Sequence, residues 1–450
     1  MDDRPAWQVP MLFSDRNFRQ EMTMQYRNSW LATFALFAAL TCSSVVADDI
    51  TIIKAGTLFD SKTGRVSRDA VIVVEGEKIV AVGNAATTIP EDAKVIDLSD
   101  SFVLPGVMDM HTHIANNLDE YFFAGYFQSP HRATIGGVVN AEKTLLAGFT
   151  TIRNVGASDY ADIAIRNAIN AGEIPGPRMA VSGPSLGITG GHCDRNSLNS
   201  SFEERADGVA DGPWEVRTQI RKNVKYGADL IKFCATGGVF SKGTKVGMTQ
   251  YTLEEMQAIV DESHTHERKV AAHAHGNEGI KRAIIAGVDS IEHASFLDRE
   301  AVQMGIDRGT FFALDIYNTE YTLEKGEANG VPEENINKER EVGTRQRQSF
   351  TLAVDMGAKV VFATDAGVYP HGNNGKQFAR AVRFGMTPSQ ALISATSLTA
   401  ELLGWEDKVG AIEPGLFADI IAVHGSPLDD ISELEDVDFV MKGGVVHKNK

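Results

Sequence analysis

Val103-Leu104-Pro105-Gly106-Val107-Met108-Asp109-Met110-His111-Thr112-His113 is the stretch on which the reading of this chain turns. An apolar run passes through a Pro-Gly turn and ends in two histidines one residue apart. Successive side chains of a strand point to opposite faces, so His111 and His113 are expected on one face. Two imidazoles side by side at the end of a buried strand begin a metal site. An HxH alone is a weak signal, and the weight falls on what later strands add.

Working outward, strand-like runs at 103–113, 150–155, 178–182, 229–235, 269–275, 289–293, 310–315 and 359–365 alternate with helical stretches such as 253–268, 278–286 and 333–356. Eight strands with intervening helices predict an α/β fold, a (β/α)8 TIM barrel over 101–405. Polar residues at the C-terminal strand ends of such a barrel read as active site. The first strand ends in His111 and His113, and the fourth carries Lys232 inside the apolar run DLIKFCA. The fifth ends in His273 and His275, the sixth in His293 and the eighth in Asp365. A lysine is almost never buried without a partner. A neutral one can take up CO2, and the resulting carbamate can bridge two metals. Imidazoles, a carboxylate and that bridge make a ligand set for two divalent ions, with zinc best suited.

The flanks read differently. Short β-rich runs at 50–55, 70–75, 78–83 and 95–98 resume in style at 418–424 and 437–446. Residues 48–100 and 406–450 are therefore expected to pair as the two parts of a small β-sandwich. Residues 1–47 read as a leader: Arg27, the apolar run LATFALFAAL at 31–40, then small residues up to a cut near Ala47. That predicts a secreted or periplasmic protein, with Met22 or Met24 as alternative starts. The net charge of −17 argues against nucleic acid and an anionic membrane surface as partners. Cys42, Cys193 and Cys234 form no CxxC pattern, and spacing leaves open whether the last two meet.

The segments LPGVMDMHTH, HAHG, IEHAS and ATDAG, with Lys232 between them, resemble the amidohydrolase superfamily. More narrowly they are similar to its exported Xaa-Pro dipeptidase/carboxypeptidase-like branch, which includes ochratoxin-hydrolysing amidases. The resemblance implies one metal on His111, His113 and Asp365, a second on His273 and His293, and carbamylated Lys232 between them. His275 then goes to the substrate, although His273 and His275 share a face and could exchange roles. It also implies a metal-activated water as nucleophile and Asp365 as the catalytic group that moves its proton. Tyr251 or His192 would meet the oxyanion. His192, His371 and Arg195 are candidate substrate contacts, and His131 is a weaker one. The expected substrate is a small amide, dipeptide or N-acyl amino acid, and the branch is expected to form homo-oligomers. Alternatives on the same barrel are a cyclic-amide or imidazolone hydrolase, a deaminase, and a lactonase or esterase. A scaffold without ligands would have lost some strand-end residues, and none is missing.

Overall fold

The computed structural model describes residues 50–84, 86–87, 93–116 and 122–450. The expected leader, with Cys42 and the cut near Ala47, lies outside them. Fifteen strands occur among these residues: β1 (Ile50–Asp60), β2 (Arg65–Glu75), β3 (Lys78–Asn84), β4 (Lys94–Pro105), β5 (Val107–Thr112), β6 (Phe149–Asn154), β7 (Arg178–Val181), β8 (Leu230–Cys234), β9 (Lys269–Ala274), β10 (Ser290–His293), β11 (Phe311–Ala313), β12 (Val360–Val361), β13 (Ile420–Val423), β14 (Phe439–Lys442) and β15 (Val445–Asn449).

Strands β5–β6–β7 and β8–β9–β10–β11–β12 form two parallel sheets. Their edges meet at both seams. On one side Thr112 bridges Ala366, and on the other Leu186 bridges Phe233, both in parallel sense. Hydrogen bonds reinforce the seams: Met110 N–H to Phe362 O at 2.9 Å, and Leu186 N–H to Lys232 O at 2.8 Å. Nearly every residue of these strands is buried, as for parallel strands covered on both faces. Ile231, Phe233, Val270, Ala272 and Ile291 face the helices in the main core, while Lys232 and His273 alternate with them toward the inside.

The opening stretch is two strands rather than one. It breaks at Gly106, whose N–H bonds Asp419 O at 2.8 Å; a Cβ there would lie 2.1 Å from Thr150 Oγ1. Leu104 and Pro105 still pair with β13, so the handover falls at Gly106 and not at residue 101. The two chain ends do pair, but as one seven-stranded sheet, order β15–β14–β13–β4–β1–β2–β3, in place of two hydrogen-bonded layers. That sheet curls until Ile79 on β3 donates to Leu416 O at 3.0 Å, just ahead of β13. One hydrophobic cluster, with Ile53, Ile72, Phe439 and Met441, fills it. Among the described residues no helix is long and apolar enough to cross a membrane.

Outside the strands, the Gly212–Tyr226 and Leu253–Thr265 helices are clipped together by Glu262. It accepts from Arg221 Nε at 2.7 Å and Arg217 Nη1 at 3.0 Å, with His266 Nε2 at 3.1 Å. The Arg221 hydrogen bond, aided by Arg217 and His266 against burial, holds this carboxyl down at about 2. A depressed carboxyl stabilises the fold above its unfolded value, and that contribution fades as pH falls from about 4.5 toward 2. Because Arg221 is exposed, Glu262→Gln is expected to cost only about 1–2 kcal/mol at neutral pH. In denaturant titrations the difference should vanish near the acid end of that window.

Candidate metal centre

Seven of the residues picked out at strand ends line one cavity of about 190 Å³: His111, His113, Lys232, His273, His275, His293 and Asp365; His192 joins them. The His111 and His113 rings sit 5.3 Å apart. Asp365 Oδ1 lies 3.4 Å from His111 Nε2 and 3.3 Å from His113 Nε2. Three donor groups have ligand atoms within 4.8 Å of one another: His111 with His113 and Asp365; His273 with His275 and His293; and His293 with Asp315 and Asp365. His293 and Asp365 belong to two groups each, so the three merge into one centre.

The donor set fits divalent cations on two observations. His111 Nε2 and His273 Nε2 are buried without a hydrogen-bond partner, which is costly for a polar nitrogen unless a ligand completes it. Two of the rings are held from behind at Nδ1: His111 by Glu292 at 2.8 Å, and His293 by Asp315 at 2.8 Å. Such carboxylate backing fixes the tautomer that turns Nε2 toward a metal. Burial first, and neighbouring charges second, push His111, His273 and His275 well below the ordinary histidine range, which favours the neutral imidazole that a metal needs. For His293 burial acts in the same direction, but Asp315 outweighs it and raises the ring. His275 Nδ1 is already engaged by Ser295 Oγ at 2.7 Å, while His273 Nε2 is unpartnered.

Lys232 is buried, and that burial lowers its ammonium to about 8 against the pull of Glu292 and Asp365. An appreciable fraction is therefore neutral amine near pH 8, the form that reacts with CO2. The backbone is strained here as well. His293 (φ 67°), Ala294 (φ 44°) and Asp365 (φ 61°) are in the left-handed region, which non-glycine residues seldom adopt. That turn lets consecutive Glu292 and His293 both serve the site, against strict alternation. Gly367 (φ 113°) allows the close approach, since a Cβ would meet His113 O at 2.6 Å.

The remaining candidates divide. The His192 ring stacks on His273 at 4.2 Å with its Nδ1 on Ser241 Oγ at 2.9 Å, and burial drops it to about 3. Cys193 and Cys234 meet as a disulfide that ties the His192 loop to β8. Arg195 lines an adjoining cavity of about 520 Å³ that shares Asn116 and Phe240 with the first. Two expectations need correction. Tyr251 does not line the centre: it packs edge-on to Phe233 and its hydroxyl donates to Ala210 O at 2.9 Å. His371 is also absent from the lining, bonding His113 O at 3.2 Å and Thr144 Oγ1 at 3.3 Å, where it braces the backbone. His131 is exposed on the Pro130–Leu146 helix.

Several residues were missed. Asp315 closes the seventh strand-like run and obeys the same strand-end rule, so it was there to be found. Glu292 and its buried partner Arg153 (2.8 Å), and Asn318 and Glu339 in the cavity wall, had no sequence signal, because their roles come from neighbours distant in the chain.

The sequence profile of the amidohydrolase family matches residues 102–447. The chain is 30% identical over 439 residues to ochratoxinase from Aspergillus niger, covering 91% of this chain and 89% of that one. It is 26% identical over 378 residues to imidazolonepropionase from Streptomyces coelicolor, covering 78% and 85%. Among solved structures, a Xaa-Pro dipeptidase with methionine bound in its active site superposes with a TM-score of 0.85 at 40% identity, covering 89% of this chain and all of that one.

Proposed function

The chain belongs to the amidohydrolase family of hydrolases acting on C–N bonds, and from that premise we propose that it cleaves a peptide-like amide with two divalent metal ions. The one observation that carries this reading is the convergence of His111, His113, Lys232, His273, His293 and Asp365 on one cavity, with two buried imidazole nitrogens left unpartnered. The closed seams between the two parallel sheets support a (β/α)8 barrel that presents these residues at one end.

In this reading His111, His113 and Asp365 would hold one ion and His273 and His293 the other, and Lys232, once carbamylated, would supply a further carboxylate to them. His273, with its unpartnered Nε2, is taken as the ligand, and His275, which shares its donor group, is left to the substrate. Bound there, the two ions would polarise the scissile carbonyl and acidify the attacking water. Burial acts to raise the Asp365 carboxyl, but the His113 contact outweighs it and holds the group below the ordinary carboxylate range. It takes the water's proton and returns it to the leaving nitrogen, so that water and amide become a carboxylic acid and an amine. His192, in place of Tyr251, donates to the developing oxyanion. His275 remains for the substrate, and Arg195 in the adjoining cavity meets a substrate carboxylate. The Cys193–Cys234 disulfide supports export to an oxidising compartment.

The test is a screen of dipeptides and N-acyl amino acids with zinc-loaded protein, before and after chelation, with metal counted per chain. Hydrolysis that disappears on chelation and returns at two metals per chain is expected. Undiminished hydrolysis by the metal-free protein would sink the reading. The imidazolonepropionase likeness supports a second reading, cyclic-amide hydrolysis, which a full occupancy of one metal per chain would favour.

A further inference from the structure

We propose that Glu339 anchors a cationic nitrogen of the substrate, so that the site prefers peptides with a free α-ammonium to N-acylated amides. The inference rests on the amide-hydrolase reading and narrows its substrate class.

Glu339 projects from the Glu333–Asp355 helix into the same cavity as the six donor residues, beside Val342 and Gln346, and is 3% exposed. A carboxyl so deeply buried is ordinarily paired with a base. Among the described residues none pairs with it. Lys338, next to it in sequence, is engaged by Ser241 O at 2.6 Å and Glu334 at 2.8 Å. Arg347, further along the helix, goes to Gly343 O at 2.6 Å and Glu320 at 3.4 Å. Lys232 is the one lysine or arginine in the cavity lining, and carbamylation would remove even that charge. Around it stand the uncharged Thr319 hydroxyl, which donates to Gln346 Oε1 at 2.8 Å, and the Asp315 and Asp365 carboxylates; burial and these two acids raise the Glu339 carboxyl to about 7.

Nor is Glu339 committed to a metal, since it lies outside all three donor groups. The other two acids in the lining are taken: Asp315 by His293 and Asn318, and Asp365 by His111 and His113. Glu339 is thus the carboxyl left over for whatever enters. An ammonium would complete it, whereas an acylated nitrogen carries no charge and leaves a buried carboxyl without its partner. A site built around a buried polar group rejects ligands that fail to satisfy it.

The experiment separates binding from turnover. L-Leucine and its desamino counterpart 4-methylpentanoate hold no bond to cleave and differ only in the ammonium. Calorimetric titration of zinc-loaded protein should show leucine bound at least about tenfold more tightly. Glu339→Gln should reduce that ratio to about threefold or less at unchanged metal content, and Glu339→Asp should keep part of it. Equal binding of the two ligands by the unmutated protein, or a preference indifferent to both variants, would overturn the anchor. Turnover of Ala-Pro against N-acetyl-Ala-Pro reports on the hydrolase reading separately. The free-amine peptide should have the higher kcat/KM. A leucine preference that depends on Glu339, without cleavage of either peptide, would overturn the hydrolase reading and leave the anchor standing.

Discussion

Lys232→Ala is expected to lower kcat/KM by at least about a thousandfold and to reduce bound metal from two ions per chain toward one. The side chain is buried in the fourth parallel strand, lines the same cavity as the donor groups, and has its ammonium lowered to about 8 by burial. The carboxylates that act on Lys232 are already engaged: Glu292 by Arg153, Ser290 and His111, Asp315 by His293 and Asn318, and Asp365 by His113. The deletion also leaves room for a small anion. Added formate or acetate should therefore restore part of the activity and the second ion, which a merely structural lysine would not show. Full activity with two metals in the variant would refute the bridge.

Asp365→Asn carries the second large effect. Asparagine has the same shape and tolerates the left-handed backbone that this position requires (φ 61°). The fold should survive, and circular dichroism checks that it does. Lost are the charge between His111 and His113 and the group that moves the proton. A positioned acid–base residue contributes about 10²–10⁴ in rate, and loss near the top of that range is expected in kcat with KM changed far less. The direction of the pH dependence follows from the depressed carboxyl. On the proposed mechanism the rate of the unmutated protein should rise as Asp365 ionises, and the variant should lack that acidic limb. A variant that keeps both its rate and the limb would assign the proton to another group.

Period two made much of the centre legible. His111 with His113, Lys232, His273 and His275 could be placed on strand faces because alternation is local and steric. His293 was named from its place at the strand end, but Glu292 beside it escaped, because a left-handed residue there brings two consecutive side chains to one side. Tyr251 and His371 were misplaced for a different reason. Their types suit oxyanion and substrate contacts, but each is satisfied elsewhere, by Ala210 O and by His113 O. The flanking sheet shows the same division. Both ends read as strands, but the single curled sheet depends on β4 pairing with both β1 and β13 across more than three hundred residues.

By itself, then, the order of residues determined most of the strands, the face on which the strand-end histidines and Lys232 lie, and the donor chemistry those side chains share. Folding in three dimensions decided the rest: which imidazoles are backed by Glu292 and Asp315, that Cys193 meets Cys234, and that Glu339 stands in the cavity wall without a base. The physical reason is range. Side-chain alternation is set within a few bonds, whereas protonation, pairing and desolvation are set by neighbours that only chain closure brings within a few ångströms.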